Sequence, residues 1–247
     1  MKLLLMADSR VGYAISRWLL EEFREDVALV VVIDENRIQT IARNAGVPCA
    51  IFSSAGQVSA LVDELNIIPD VGISAWWPKL IKRPLLNRPR LGFINTHPSL
   101  LPHNRGKHYN FWALVEQAPF GVSLHMIDEG IDSGDVIAQR SIPYDWEDNG
   151  ETLYGKAEPA MVKLFQDTYP SIRTLDFSRQ KQDLSLGSFH KASELDPASC
   201  IELDREYLAR DLLNLLRART FSGYPSCWFC HEGREFEVRV QIRKKCK

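Results

Sequence analysis

Long apolar runs are what this sequence most plainly lacks. The longest uninterrupted aliphatic stretch, Val27–Ile33, falls far short of the ~20 residues that a membrane-spanning helix requires. The opening Met1-Lys2-Leu3-Leu4-Leu5-Met6 is too short for the apolar region of a signal peptide, and Asp8 interrupts it. No membrane partner and a cytoplasmic location are the expectation. An excess of one charge is missing too: 30 Lys and Arg stand against 32 Asp and Glu, a formal net charge of −2. No global field therefore draws the chain to nucleic acid or to an anionic membrane. The basic end, Arg243-Lys244-Lys245-Cys246-Lys247, reads as a solvated tail.

Cysteines are few. Five of them (Cys49, Cys200, Cys227, Cys230, Cys246) leave one unpaired and show no disulfide-framework spacing. Cys227-Trp-Phe-Cys230-His231 has the spacing of covalent haem attachment, yet it lies in what reads as a strand running into a turn. Plain thiols, with neither haem nor zinc, are expected there. Glycine is scarce where a dinucleotide would need it. The first strand-to-helix turn carries only Gly12, not the glycine triplet that lets backbone approach a pyrophosphate, which argues against NAD.

What the chain does contain is the balance of an ordinary folded protein, with 45% hydrophobic and 25% charged residues over 247 positions. Apolar strands are expected at 2–7, 27–33, 47–52, 70–76 and 91–95. Helical spacing alternates with them: Tyr13, Ile15, Trp18, Leu19, Leu20 and Phe23 mark the first helix, followed by 37–45 and 58–65. That alternation predicts an α/β fold with a mostly parallel sheet covered on both faces. Residues 109–116 read as an aromatic-rich helix. Gly121–Asp128 alternates as a half-exposed strand that can pair with 136–144. A helix is expected over 151–165, broken or kinked near Pro159. Residues 179–203 lie in a Ser-, Gln-, Lys- and Asp-rich stretch that reads as a surface linker. It divides a catalytic domain, 1–178, from a small unit, 204–247, made of a helix (about 204–218) and a β-hairpin whose strands bracket Glu232-Gly233-Arg234.

The stretch Gly92–Gly106 concentrates the chemistry. Asn95 and His97 sit at i and i+2 of a strand, so both side chains point to one side, and Pro98 stops the strand just beyond them. A donor and an imidazole at a strand's exit occupy the place where open α/β sheets put ligands. A third group comes from Asp128-Glu129-Gly130-Ile131-Asp132-Ser133-Gly134-Asp135, where two glycines allow a tight loop around Asp132. Its acidic spacing does not fit a helix-loop-helix calcium site, and no metal is expected. A carboxylate delivered to an Asn/His pair suits an orienting or proton-accepting role.

Asn95-Thr96-His97-Pro98-Ser99-Leu100-Leu101-Pro102, Gly121-Val122-Ser123-Leu124-His125 and Gly130-Ile131-Asp132-Ser133-Gly134 together resemble the formyltransferase family that uses 10-formyltetrahydrofolate. That family includes glycinamide ribonucleotide, methionyl-tRNA and nucleotide-sugar formyltransferases. The resemblance implies a Rossmann-like formyltransferase core and a catalytic triad of Asn95, His97 and Asp132. It also implies a folate pocket built from Trp76, Trp77, Lys79, Leu80, Ile81, Ile127, Asp128, Gly130 and Ile131, although Trp76 and Trp77 equally suit core packing. The residue types agree with the chemistry. Asn95, or a protonated His97, can donate to the oxyanion formed when an amine attacks the formyl carbon. Asp132 can orient His97 or favour its charged form, and can help to move the amine proton.

The acceptor is the remaining question. Pro102-His103-Asn104-Arg105-Gly106-Lys107-His108-Tyr109-Asn110-Phe111-Trp112 and Arg219-Thr220-Phe221-Ser222-Gly223-Tyr224-Pro225 look like the nucleotide-linked amino-sugar formyltransferases. The resemblance then assigns Ser9, Arg10, Arg105, Lys107, His108, Tyr109, Asn110, Phe221 and Tyr224 to the substrate. Arg105 and Lys107 suit a pyrophosphate, and Phe221 or Tyr224 a base, unless the latter pair simply packs the hairpin. A dTDP-linked amino-dideoxy sugar, serving O-antigen or other surface polysaccharide, is the expected acceptor. GDP-linked sugars and glycinamide ribonucleotide are the alternatives, and a folate- or nucleotide-binding module without catalysis is the alternative of another class. The C-terminal hairpin has too little chain around it to bury both faces, which predicts a homodimer.

Overall fold

A strand apolar on both faces can be satisfied only inside a sheet covered by helices. Leu3–Ala7 (β1) and Val27–Val32 (β2) are buried along nearly their whole length. The computed structural model describes residues 1–245, so Cys246 and Lys247 of the basic tail lie outside the described residues. Between and after these strands come Ser9–Glu22 (α1), Arg37–Asn44 (α2), Cys49–Ile51 (β3), Ala55–Glu64 (α3), Val71–Ala75 (β4) and Phe93–His97 (β5). Arg105–Gly106 (β6), Tyr109–Val115 (α4), Gly121–Met126 (β7), Val136–Ser141 (β8) and Gly150–Thr174 (α5) follow. The chain continues through Phe189–His190 (β9), Leu195–Ala198 (α6), Ala209–Ala218 (α7), Cys227–His231 (β10) and Arg234–Val238 (β11).

Seven strands form the central sheet in the order β3-β2-β1-β4-β5-β7-β8. Neighbours from β3 to β5 are parallel, and β7 runs antiparallel to both β5 and β8. This is the mostly parallel α/β architecture expected from the alternation. Side chains close the starts of α2, α3 and α5: Asn36 accepts from the Ile38 and Gln39 amides, Ser54 from Gln57, and Asn149 forms a capping box with Thr152. Among the described residues no helix is long and apolar enough to cross a membrane.

Three elements depart from expectation. Helix α5 runs unbroken through Pro159 and Pro170, ending nine residues beyond the expected Phe165. A proline inside a helix costs about 3 kcal/mol. Here Leu153, Ala157, Met161, Leu164, Phe165, Tyr169 and Ile172 are buried on one face, while both prolines lie on the exposed one. At ~1.5–3 kcal/mol for each large apolar side chain, burial outweighs the missing backbone bonds. The helix end is anchored inside, where Asp26 (3% exposed) accepts from Tyr169 Oη at 2.8 Å and Arg173 Nε at 2.7 Å. The second departure is in the C-terminal unit, where the helix begins only at Ala209 and the second hairpin strand ends at Val238. Glu232 and Gly233 both take positive φ, as a two-residue hairpin turn requires.

The third departure is residues 179–203, which are knitted to the core rather than looped over it. Gln180 and Val136 exchange two backbone hydrogen bonds of 2.8 Å, and β9 pairs in parallel with β6. Gly187 lies so close to Pro102 that a Cβ there would sit 2.0 Å from its carbonyl oxygen. The His190 ring stacks on Trp112 at 3.7 Å between centroids, its nitrogens 2.7 Å from Glu116 and 3.0 Å from Glu194. Polar and backbone pairing of this kind leaves no apolar period in the sequence, which is why composition alone suggests a linker.

Candidate active site

The register of three neighbouring strands sets the site. Ser74 of β4 pairs with Asn95 of β5, and Asn95 pairs with His125 of β7. Their side chains form one row across the sheet. Ser74 Oγ donates to Asn95 Oδ1 at 2.8 Å, and Asn95 Nδ2 lies 3.1 Å from His125 Nε2. His125 Nδ1 is 2.8 Å from the Met126 carbonyl, which can only accept, so Nδ1 carries the proton and Nε2 accepts from Asn95. The amide of Asn95 is thereby fixed in one orientation, with its second N–H left over.

Asp132 enters from the β7–β8 loop in a left-handed backbone conformation, φ 52°. Its Oδ1 lies 3.5 Å from His97 Nδ1 and 3.6 Å from His125 Nε2, and its Oδ2 accepts from the Gly106 N–H at 2.9 Å. Burial works against this carboxylate, but His97 and His125, when they carry a proton charge, and the Gly106 N–H outweigh it and hold its pKa well below the usual range. His97 is 5% exposed, and burial pushes its pKa down from 6.5; Asp132 opposes the shift, while His125 and Lys107 add to it. An ionised Asp132 thus faces a neutral His97, whose Nε2 is buried without a hydrogen-bond partner among the described residues. Burial also raises the Tyr109 phenol well above its ordinary value, and its ring stands edge-on to His97 at 5.9 Å. His97, His125 and Asp132 could in principle ligate a metal, their donor atoms lying within 4.8 Å of one another. Nε2 of His125 is already engaged by Asn95, and both imidazoles face Asp132 at ion-pair distance.

The lowered imidazoles make a pH prediction. His108 is also pushed down, by burial and then by Arg219 and Lys107. Both histidines bind fewer protons folded than unfolded just below pH 6.5, the ordinary value. Stability from these groups should therefore rise with pH from their folded values up to about 6.5 and level off above it. Urea midpoints between about pH 5.5 and 7.5 should show this slope, and His97→Gln should flatten it. An unchanged slope in that variant would refute the assignment.

A cavity of about 740 Å³ opens beside the triad. Asn95, His97 and Asp132 line it, as do Trp76, Trp77, Lys79, Leu80, Ile81, Ile127, Asp128, Gly130 and Ile131. Of the residues assigned to the substrate from sequence, Ser9, Lys107 and Tyr109 line it, while Arg10, Arg105, His108, Asn110, Phe221 and Tyr224 stand outside. Asn110 is spent on structure, donating to the Gly150 carbonyl at 2.7 Å. Phe221 and Tyr224 pack edge-on at 5.1 Å, and Phe221 meets Tyr154, whose hydroxyl accepts from Trp76 Nε1 at 3.3 Å. These four aromatics form a continuous path from the cavity wall to the C-terminal unit.

Several contributors escape sequence reasoning. Strand alternation places Ser123 and His125 on one face, but that face is wholly buried rather than half-exposed, at 0% and 2%. The His125 role was legible in principle from its register opposite Asn95, which a single sequence does not supply. Ser74 carries no signal at all. Phe189, His190, Lys191 and Ala192 wall the cavity from the segment expected to be a linker.

Residues 27–168 match the formyl transferase family, and residues 194–244 match the N-formyltransferase dimerization C-terminal domain. A methionyl-tRNA formyltransferase of Geobacter metallireducens is 25% identical over 213 residues, covering 85% of this chain and 66% of that protein. The chain thus spans just under two thirds of that curated relative. A 4-N formyltransferase from Francisella tularensis superposes with a TM-score of 0.78 at 25% identity, covering 99% of this chain and 98% of that one. An N-formyltransferase from Helicobacter canadensis, solved with folinic acid and dTDP-3-aminofucose, gives 0.74 at 18% identity, covering 94% and 85%. With more than half of its length matched, the chain belongs to the formyl transferase family.

Proposed function

We propose that the protein transfers a formyl group from 10-formyltetrahydrofolate to the amine of a nucleotide-linked amino-dideoxy sugar. The observation that carries this is the pair of uncommitted polar groups at the cavity wall: the second N–H of Asn95 and the buried, unpartnered Nε2 of His97. The cavity also suits the donor. Its size lies within the range of small-molecule sites. Trp77, Ile81 and Ile127 give it apolar walls, and the buried indole N–H of Trp77 has no partner among the described residues. When bound, the donor supplies an electrophilic formyl carbon. Asn95 Nδ2 then donates to the formyl oxygen as negative charge develops there. Neutral His97 would accept the proton of the attacking amine at Nε2 with Asp132 stabilising the imidazolium from the Nδ1 side, and would return that proton to the folate nitrogen as its bond to the formyl carbon breaks.

The acceptor reading rests on the resemblance to nucleotide-sugar enzymes and on the sugar-nucleotide complex of the Helicobacter canadensis neighbour. Lys107 at the cavity and the half-buried Arg105, whose Nε has no partner among the described residues, suit a diphosphate, and the Phe221–Tyr224 pair suits a base. Product in this reading feeds O-antigen or other surface polysaccharide. The matched dimerization domain supports a homodimer through the hairpin, where Phe236 is 43% exposed. The test is a screen of dTDP-, GDP- and UDP-linked amino sugars with 10-formyltetrahydrofolate, following product mass. Glycinamide ribonucleotide and methionyl-tRNA serve as competing acceptors. Formylation of either in preference to every sugar nucleotide would overturn the acceptor, and formate release without any formylated amine would overturn transfer.

A further inference from the structure

The catalytic carboxylate is held from two sides by one segment that follows α5. On the backbone side, the Gln182 amide Nε2 donates to the carbonyls of Asp132 at 2.9 Å and Gly134 at 2.6 Å. Those two carbonyls bracket the turn in which Asp132 takes its left-handed conformation. Gln182 itself is pinned by its neighbour Gln180, which exchanges two backbone bonds with Val136 at the start of β8.

On the carboxylate side, the same segment acts through β9. The parallel pairing of β6 with β9 uses the N–H groups of Arg105 and Lys107, which donate to the Ser188 and His190 carbonyls, both at 3.0 Å. Backbone alternation turns the intervening Gly106 N–H the other way, toward the cavity, where Asp132 Oδ2 accepts it.

We infer that Gln182 is a positioning residue for the reaction, fixing the Asp132 loop so that its carboxylate meets both His97 and the Gly106 N–H. The inference rests on the formyl-transfer reading for its effect on rate, but not for its effect on the loop. Only a donor can serve here, because a side chain presenting oxygen would face two carbonyl oxygens. The segment thereby sets the geometry of a carboxylate that lies 50 residues earlier in the chain.

The experiment compares the full chain with Gln182→Ala and with Gln182→Met, which keeps length and packing but lacks the donor. Two readouts are taken under conditions where melting shows each variant folded: steady-state kinetics, and hydrogen exchange at the Gly106 amide. The expectation is a fall in kcat of about tenfold with KM for both substrates within about twofold, since misplacement acts on the transition state rather than on binding. Gly106 exchange should quicken by about tenfold without a change in global stability. If Ala fails to fold, the Met variant decides. Wild-type kcat in the folded variants overturns the positioning role, whatever the exchange shows. Should the unaltered protein formylate no amine, the functional reading fails separately, and Gly106 exchange alone then decides whether Gln182 holds the loop.

Discussion

Asn95→Ala is expected to lower kcat for formyl transfer by about 100- to 1000-fold, the usual cost of removing one donor aimed at a developing oxyanion. The size of the effect follows from how the amide is held. Ser74 fixes its oxygen and His125 takes one of its N–H groups, so in the proposed reaction the remaining N–H would meet the reacting oxygen without reorganising. Pre-aligned donors in a partly buried site are worth more than solvated ones, because no water has to turn around as charge builds. KM for the folate donor should move little, since the ground-state formyl oxygen bears little of that charge. Asn95→Asp separates orientation from donation. It keeps the shape and the bond from Ser74, but sets an oxygen against the His125 lone pair and offers no donor. It should be about as slow as Ala despite its polarity. Single-turnover rates with saturating donor test both variants, and a rate within a few-fold of wild type in Asn95→Ala would sink the assignment.

The second large effect is expected at a residue with no side chain. Gly106 has φ +91°, and a Cβ added there would stand 2.2 Å from the His190 carbonyl oxygen. Gly106→Ala must therefore part β6 from β9 or rotate the peptide. Either movement withdraws the N–H that Asp132 Oδ2 accepts. A displacement of about 1 Å at a catalytic group can cost about 100-fold in rate, and that is the loss expected in kcat. The sheet core should survive, because β6 and β9 form a separate two-stranded ladder outside the seven-stranded sheet. A near-native far-UV spectrum with a lost rate is the expected combination, and wild-type turnover in Gly106→Ala would refute the role of this N–H.

These effects show where sequence reading succeeds and where it stops. The parallel sheet was legible because its strands are apolar on both faces, as in Leu3–Ala7, and a single physical cause fixes both burial and pattern. Strand alternation and a glycine-bounded loop singled out Asn95, His97 and Asp132, which line one cavity, but their grouping as a triad came from the motifs' resemblance to the family. The course of α5 through two prolines was not legible, since a local rule met a larger tertiary term that local sequence does not state. Nor was the role of residues 180–190. Their contacts are backbone pairings and single polar bonds, Gln182 to two carbonyls and Ser188 to Asn104, which follow no period. His125 lay between these cases, visible as part of a motif but given meaning only by the strand register that sets it beside Asn95.

The same division has a temporal side. All seven strands of the central sheet have been synthesised once the ribosome passes Ser141 at the end of β8, whereas both supports of Asp132 arrive only with Gln182 and His190. At about 5–20 residues per second, those last ~50 residues separate a sheet-competent nascent chain from a catalytically set one by roughly 3–10 s. A chain halted in that interval carries Asn95 and His97 on β5 but lacks the segment that holds Asp132 against them, so the growing polypeptide acquires its architecture before this last support.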